Sequence, residues 1–163
     1  MRLVTYRDAQ GVHLGAVRDN ERNSEVVSLD SVAPDMLTLI ERGPAALDAA
    51  AAVLAQAGQG QSLYSVTLLA PIPRPRQNVV CVGMNYAAHA IESQRARGRE
   101  PKLPTVPVFF TKAVTAVASP WGDFVLDPKV TQELDYEVEL AFVIGSGGKN
   151  IAKADALQHV YGY

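Results

Sequence analysis

Three groups of side chains in this sequence have the types and spacing to do chemistry. In Leu134-Asp135-Tyr136-Glu137-Val138-Glu139-Leu140, acids alternate with apolar residues. On an extended strand successive side chains point to opposite faces, so Asp135, Glu137 and Glu139 would share one face and the apolar residues the other. Glu137 and Glu139 would then stand roughly 6.5 to 7 Å apart at Cα, within reach of a single cation. Carboxylates held that close repel unless a proton or a cation neutralises them. Hard oxygen donors favour magnesium, manganese or calcium over zinc. The plainer alternative is the solvated face of an antiparallel sheet.

The second group lies in Val79-Val80-Cys81-Val82-Gly83-Met84-Asn85-Tyr86-Ala87-Ala88-His89-Ala90-Ile91-Glu92. An apolar strand ends at a glycine, Asn85 can cap the helix that follows, and His89 and Glu92, three apart, share one helical face. A carboxylate there can orient and charge-stabilise an imidazole that acts as a general base; a surface ion pair is the bland alternative. The third is Lys112, closing Pro107-Val108-Phe109-Phe110-Thr111. It can bind a substrate carboxylate or a developing oxyanion, or simply extend to solvent. Gly145-Ser146-Gly147-Gly148-Lys149-Asn150 lacks the spacing of a phosphate-binding loop and reads as a turn.

The elements that must position these groups follow from the patterning. Leu3 to Tyr6, Val12 to Val17 and Val26 to Leu29 read as three short strands of a small antiparallel sheet, with turns at Gln10-Gly11 and Asp19-Asn20. His13, inside the second, has no other ligand type beside it and reads as structural or exposed. Met36 to Ile40 and the alanine-rich run Ala45 to Ala57 predict two helices, the second stopped by Gly58 and Gly60. Pro71, Pro73 and Pro75 remove three backbone donors and place a domain boundary near Ala70. Beyond it, Asn78 to Gly83, Val106 to Lys112 and Tyr136 to Ile144 predict buried strands, with helices from about Asn85 and over Lys153 to His159. The charged stretch Glu92 to Lys102, with Arg95, Arg97 and Arg99, is placed to cover the proposed base as a lid.

Of the 163 residues 48% are apolar and 20% charged, the balance of a globular protein. A net charge of -2, with no basic block, speaks against a nucleic-acid partner. Cys81 is the one cysteine, so no internal disulfide can form. The start lacks an apolar signal core, and no apolar run approaches the ~20 residues needed to span a bilayer. The expectation is a cytoplasmic protein without a membrane partner.

Taken together, Cys81 to Tyr86 with His89 and Glu92, Pro107 to Lys112, and Asp135 to Leu140 with Val143-Ile144-Gly145 resemble, in order and spacing, the fumarylacetoacetate hydrolase family. The resemblance covers about residues 71 to 163. It implies an α+β, β-rich fold: a small N-terminal α/β domain over 1–70, then part of a mixed β-sheet roll over 71–163. It also implies a metal-dependent hydrolase or lyase acting on C–C bonds of small 2-oxo, acylpyruvate-like carboxylic acids, with decarboxylation or isomerisation as family alternatives. Carried over by position, Glu137 and Glu139 are two of three metal carboxylates for Mg2+ or Mn2+ (Ca2+ in some settings), His89 with Glu92 is the proton-moving dyad, and Lys112 is the active-site lysine. The third carboxylate, an aspartate, belongs to a segment beyond a Gly-Tyr pair like Gly162-Tyr163, where this sequence ends; Asp127, Asp135 and Asp155 are not placed to match it. The family pattern implies a homodimer in the full-length form and an incomplete site here, so a catalytically inactive fragment or binding module is the competing expectation.

Overall fold

A computed structural model of the protein describes residues 1–19 and 24–163; the turn expected at Asp19-Asn20 falls at and beyond the edge of the first stretch. The fold is α+β and rich in strands. The chain divides into two compact units, Met1–Pro73 with Ser119–Tyr163, and Arg74–Ala118.

In the first unit, β1 (Arg2–Arg7), β2 (Val12–Asp19) and β3 (Ser24–Ser28) form the expected antiparallel meander. Two short strands extend it: β4 (Gln61–Ser62) adds to β3, and β5 (Thr67–Leu68) to β1. Asp8 shapes the β1–β2 turn, its Oδ1 accepting from the backbone N–H of Gln10 at 2.8 Å and Gly11 at 3.2 Å. Gly15 is required for packing, because a Cβ there would stand 2.8 Å from both Tyr6 Cε1 and Val26 Cγ1.

Two helices follow, as the patterning predicts. α1 (Met36–Glu41) is capped by Asp35, whose Oδ1 accepts from Thr38 N at 2.7 Å. α2 (Pro44–Gln56) opens on a proline, whose missing N–H costs nothing at a helix start. The period-two alternation of β2 divides the core. Leu14 and Ala16 pack with Leu29, Ala33, Met36, Leu39, Ala46 and Ala50, while Val17 joins Tyr6 and Val26 in a second cluster.

Arg18 ties the end of α2 to the sheet. Its guanidinium donates to the carbonyls of Ala57 (3.1 Å) and Gly58 (2.6 Å), and to Glu25 Oε2 at 3.0 Å. These bonds satisfy carbonyls at and just past the helix end, where a cation also meets the negative end of the helix dipole. Arg18→Met should lower the unfolding free energy by about 1–3 kcal/mol, read as a reduced midpoint in urea. An unchanged midpoint would mean that water replaces the guanidinium at no cost.

The segments beyond residue 74 depart from expectation in burial and in regularity. β6 (Val79–Gly83) and β7 (Val108–Lys112) form an antiparallel pair, but Val79 and Val80 are exposed and every residue of β7 is exposed, so these are not buried strands. No third strand joins this pair among the described residues, and a two-stranded ribbon has no inside. α3 (Ala87–Ala96) starts two residues later than Asn85, with Tyr86 at its N-cap position and no side-chain cap. In the first unit's C-terminal part, strand is confined to β8 (Val143–Ile144), paired with β9 (Val160–Gly162). The expected helix over Lys153 to His159 is one tight turn, Ala156–His159.

Candidate active site

His89 and Glu92 occupy the first two turns of α3, three residues apart on one helical face, and both are exposed. The chain reaches α3 from β6 through Gly83, Met84 and Asn85. Met84 adopts φ +53°, a left-handed conformation that side chains other than glycine, asparagine and aspartate seldom take. Such a kink re-aims the chain between strand and helix, and a strained non-glycine residue of this kind is a common mark of functional sites. Beside it lies an open cleft of about 340 Å³, lined by Met84 and Asn85 on one side and Leu103, Thr105 and Val106 on the other. Periodicity and composition gave no sign of the kink at Met84.

The loop returning from α3 is clamped rather than loose. The Gln94 side chain accepts from Lys102 N at 2.7 Å and donates to Lys102 O at 2.8 Å, closing residues 94–102 into a ring around Gly98, whose φ is +67°. Arg95 stands in the last turn of α3 and Arg97 at its C-cap, so half of the stretch expected as a lid is helix. Lys112 ends β7 opposite Val79 of β6 and is exposed.

Glu137 and Glu139 lie in the first unit, on residues 132–142, which have no regular secondary structure and are exposed throughout. The strand expected from Tyr136 is therefore corrected to an irregular segment as far as Phe142. A strand persists only where a ladder satisfies its N–H and C=O groups, and the pairing there begins at Val143. Local bonds take over instead: Asp135 Oδ1 accepts from Tyr136 N at 2.9 Å. The carboxylates of Glu137 and Glu139 have the hard-oxygen chemistry that suits magnesium or manganese. Among the described residues, however, no group of three or more His, Cys, Asp or Glu side chains is placed to hold a metal ion.

The structure thus brings His89 and Glu92 onto one helical face, and Glu137 and Glu139 onto one exposed segment. It also reveals an acid–histidine–acid cluster that the sequence concealed, formed by Asp8, His13 and Asp30. Its only advance signal was hairpin register, which sets His13 opposite Tyr6 and near Asp8.

A β-rich α+β chain with a strand–kink–helix carrying a histidine and a glutamate defines the class, and the comparisons define the family. Residues 78–163, just over half of the chain, match the profile described as fumarylacetoacetate (FAA) hydrolase C-terminal. The chain belongs to the fumarylacetoacetate hydrolase family. Over its whole length it is 38% identical to the human mitochondrial protein named oxaloacetate tautomerase FAHD2A, of which it covers 51%. It is 48% identical over 103 residues to oxaloacetate tautomerase YisK of Bacillus subtilis, an alignment covering 63% of this chain and 33% of that protein. A crystal structure of a Mycobacterium smegmatis protein provisionally assigned as HpcE superposes on 98% of this chain and 52% of that one, with a TM-score of 0.59 and 26% identity. The chain spans about half the length of the curated full-length relatives it matches.

Proposed function

We propose that this chain supplies the proton-moving part of a divalent-metal-dependent enzyme of small 2-oxo carboxylic acids, whose reaction is keto–enol interconversion of a 2-oxo dicarboxylic acid. The observation that carries the reading is the placement of His89 and Glu92 three residues apart on one exposed face of α3, inside the segment that matches the family. The names of the relatives favour isomerisation over bond cleavage.

In this reading His89 removes a proton from the carbon next to the oxo group. The C–H bond breaks, its electron pair forms the new C=C bond as the C=O π pair moves onto the oxo oxygen, and the imidazolium then gives a proton to that oxygen to form the enol O–H. Glu92 holds the ring in place and stabilises its charged form. Lys112 binds a substrate carboxylate and so sets the reacting carbon against the base. Glu137 and Glu139 contribute two ligands to a magnesium or manganese ion, which when bound stabilises negative charge developing on the oxo oxygen.

The hydrolytic reading rests on the family's description as a hydrolase, and there His89 activates water for cleavage of an acylpyruvate-like C–C bond. The division into residues 1–70 and 71–163 rests on a family match that begins at residue 78; the compact units of the structure run differently, with Ser119–Tyr163 grouped with Met1–Pro73. A cytoplasmic setting and a homodimer complete the proposal. No helix of the described residues is long and apolar enough to cross a membrane.

The test uses a chain of the relatives' length with oxaloacetate as substrate, following loss of enol absorbance with magnesium or manganese and again after chelation. Acceleration that chelation abolishes is the expected result. Cleavage of an acylpyruvate without keto–enol activity would select the hydrolytic reading, and inertness toward both would overturn the enzyme reading.

A further inference from the structure

Outside the proposed site, the most tightly organised group of titratable side chains is in the N-terminal sheet. His13 Nδ1 lies 2.6 Å from Asp30 Oδ2, and Nε2 lies 3.0 Å from Asp8 Oδ1. The His13 ring packs against Tyr6 with centroids 5.3 Å apart. A neutral imidazole carries one N–H and can donate to one of these carboxylates; its second nitrogen would then turn a lone pair toward the other. Only the imidazolium satisfies both contacts, so the geometry selects the charged ring.

The two carboxylates are themselves held. Asp8 Oδ1 accepts from the backbone of Gln10 and Gly11 in the β1–β2 turn, and Oδ2 from the Gln61 side chain of β4 at 3.1 Å. Asp30 Oδ1 accepts from Leu14 N at 3.1 Å, in the first turn beyond β3. That turn carries the chain on toward the capping Asp35 and α1.

We infer that His13 is a proton-operated clasp: charged, it ties the β1–β2 turn to the β3–α1 connection, and on losing its proton it lets Asp30 go, the acid with fewer other bonds to hold it. The groups facing it are Tyr6 from β1, Asp8 from the turn and Asp30 from the end of β3, while β4 contributes only the neutral Gln61 amide through Asp8. The hydrogen bond to Asp30 holds the imidazolium above its ordinary range, with burial pulling partly the other way and the charges of Asp30 and Asp8 adding to the rise. The Gln61 bond holds Asp8 below the usual carboxylate range, assisted by Gln10, His13 and Gly11 and opposed by burial.

The signs follow by linkage. A group whose folded value is raised stabilises fully below its unfolded value, about 6.5 for histidine, and loses that contribution as pH climbs through the folded value. Asp8, whose value is lowered, contributes above the unfolded carboxylate range and loses its contribution as pH falls through the folded value. The clasp is therefore closed in a window bounded below by Asp8 and above by His13.

The test is an NMR titration of the histidine ring protons in the full chain, with His13 assigned by comparison with His13→Gln, together with exchange of the Leu14 amide. His13 should titrate above the ordinary histidine value, and Leu14 protection, corrected for intrinsic exchange, should fall about tenfold or more as pH rises through that titration. Asp30→Asn should lower the His13 midpoint. A wild-type midpoint at or below the ordinary value, or Leu14 protection that stays flat through the titration, would overturn the inference, even if the variants do not fold.

Discussion

Replacing His89 with alanine, in a chain of the relatives' length, lowers turnover by about two to four orders of magnitude while leaving affinity for the divalent ion unchanged. The magnitude is that of a positioned general base. Without the imidazole, water must take the proton from carbon, and neither the ion nor Lys112 replaces it. The split matters more than the size. In the proposed site the ion is held by carboxylate oxygens, so losing the ring removes no ligand. Glu92→Gln should lower turnover less than His89→Ala, because an amide still holds the ring but no longer offsets its charge. If His89→Ala keeps its turnover, the histidine is only a surface group of the helix, and the reading built on α3 falls.

How far the sequence foretold the structure depends on where each element finds its partner. β1, β2 and β3 pair with sequence neighbours, and α1 and α2 pack on them at once, so alternation and capping signals sufficed. The stop after Gln56 was readable from glycine, although much of the order there comes from Arg18, which reaches the Ala57 carbonyl 39 residues away. The acid–histidine–acid cluster was illegible for the same reason. Asp30 is 17 residues from His13, and the β2–β3 pairing, continued by the Leu29 N–H bond to Leu14 O at 2.9 Å, brings them side by side.

Residues 132–142 show the converse. Their alternation is as regular as that of β2, yet Tyr136 is 86% exposed and Val138 87%, and no ladder forms among the described residues. Amphipathic alternation specifies a strand only when a neighbour satisfies its backbone and a second layer covers its apolar face. The same holds for β7, where Phe109 is 65% exposed. The apolar faces that the sequence assigned to a core are present, and among the described residues they stay exposed. The local chemistry was legible at α3, where spacing of three on a helix needs no distant partner, and only locally at Glu137 and Glu139.

Glu137→Ala should weaken magnesium or manganese binding about a hundredfold or more in a chain of the relatives' length, measured by calorimetry, and restore near-normal turnover when the ion is raised to saturation. Loss of a group that merely orients a metal ligand typically costs about 10–100-fold, and removing a charged ligand from a set of few carboxylates should cost no less. Glu139→Ala should behave alike, since in the proposed site both acids serve one ion. Asp135 is the internal control. It shares the alternating face, but its Oδ1 accepts the Tyr136 N–H at 2.9 Å and so serves the local backbone. Asp135→Asn should therefore leave the affinity unchanged. A general loss of folding would lower all three variants together, whereas a metal site separates the two glutamates from the aspartate. Wild-type affinity in Glu137→Ala and Glu139→Ala would assign the paired acids to a solvated segment and remove the ion from the mechanism, leaving the histidine of α3 to be judged on its own assay.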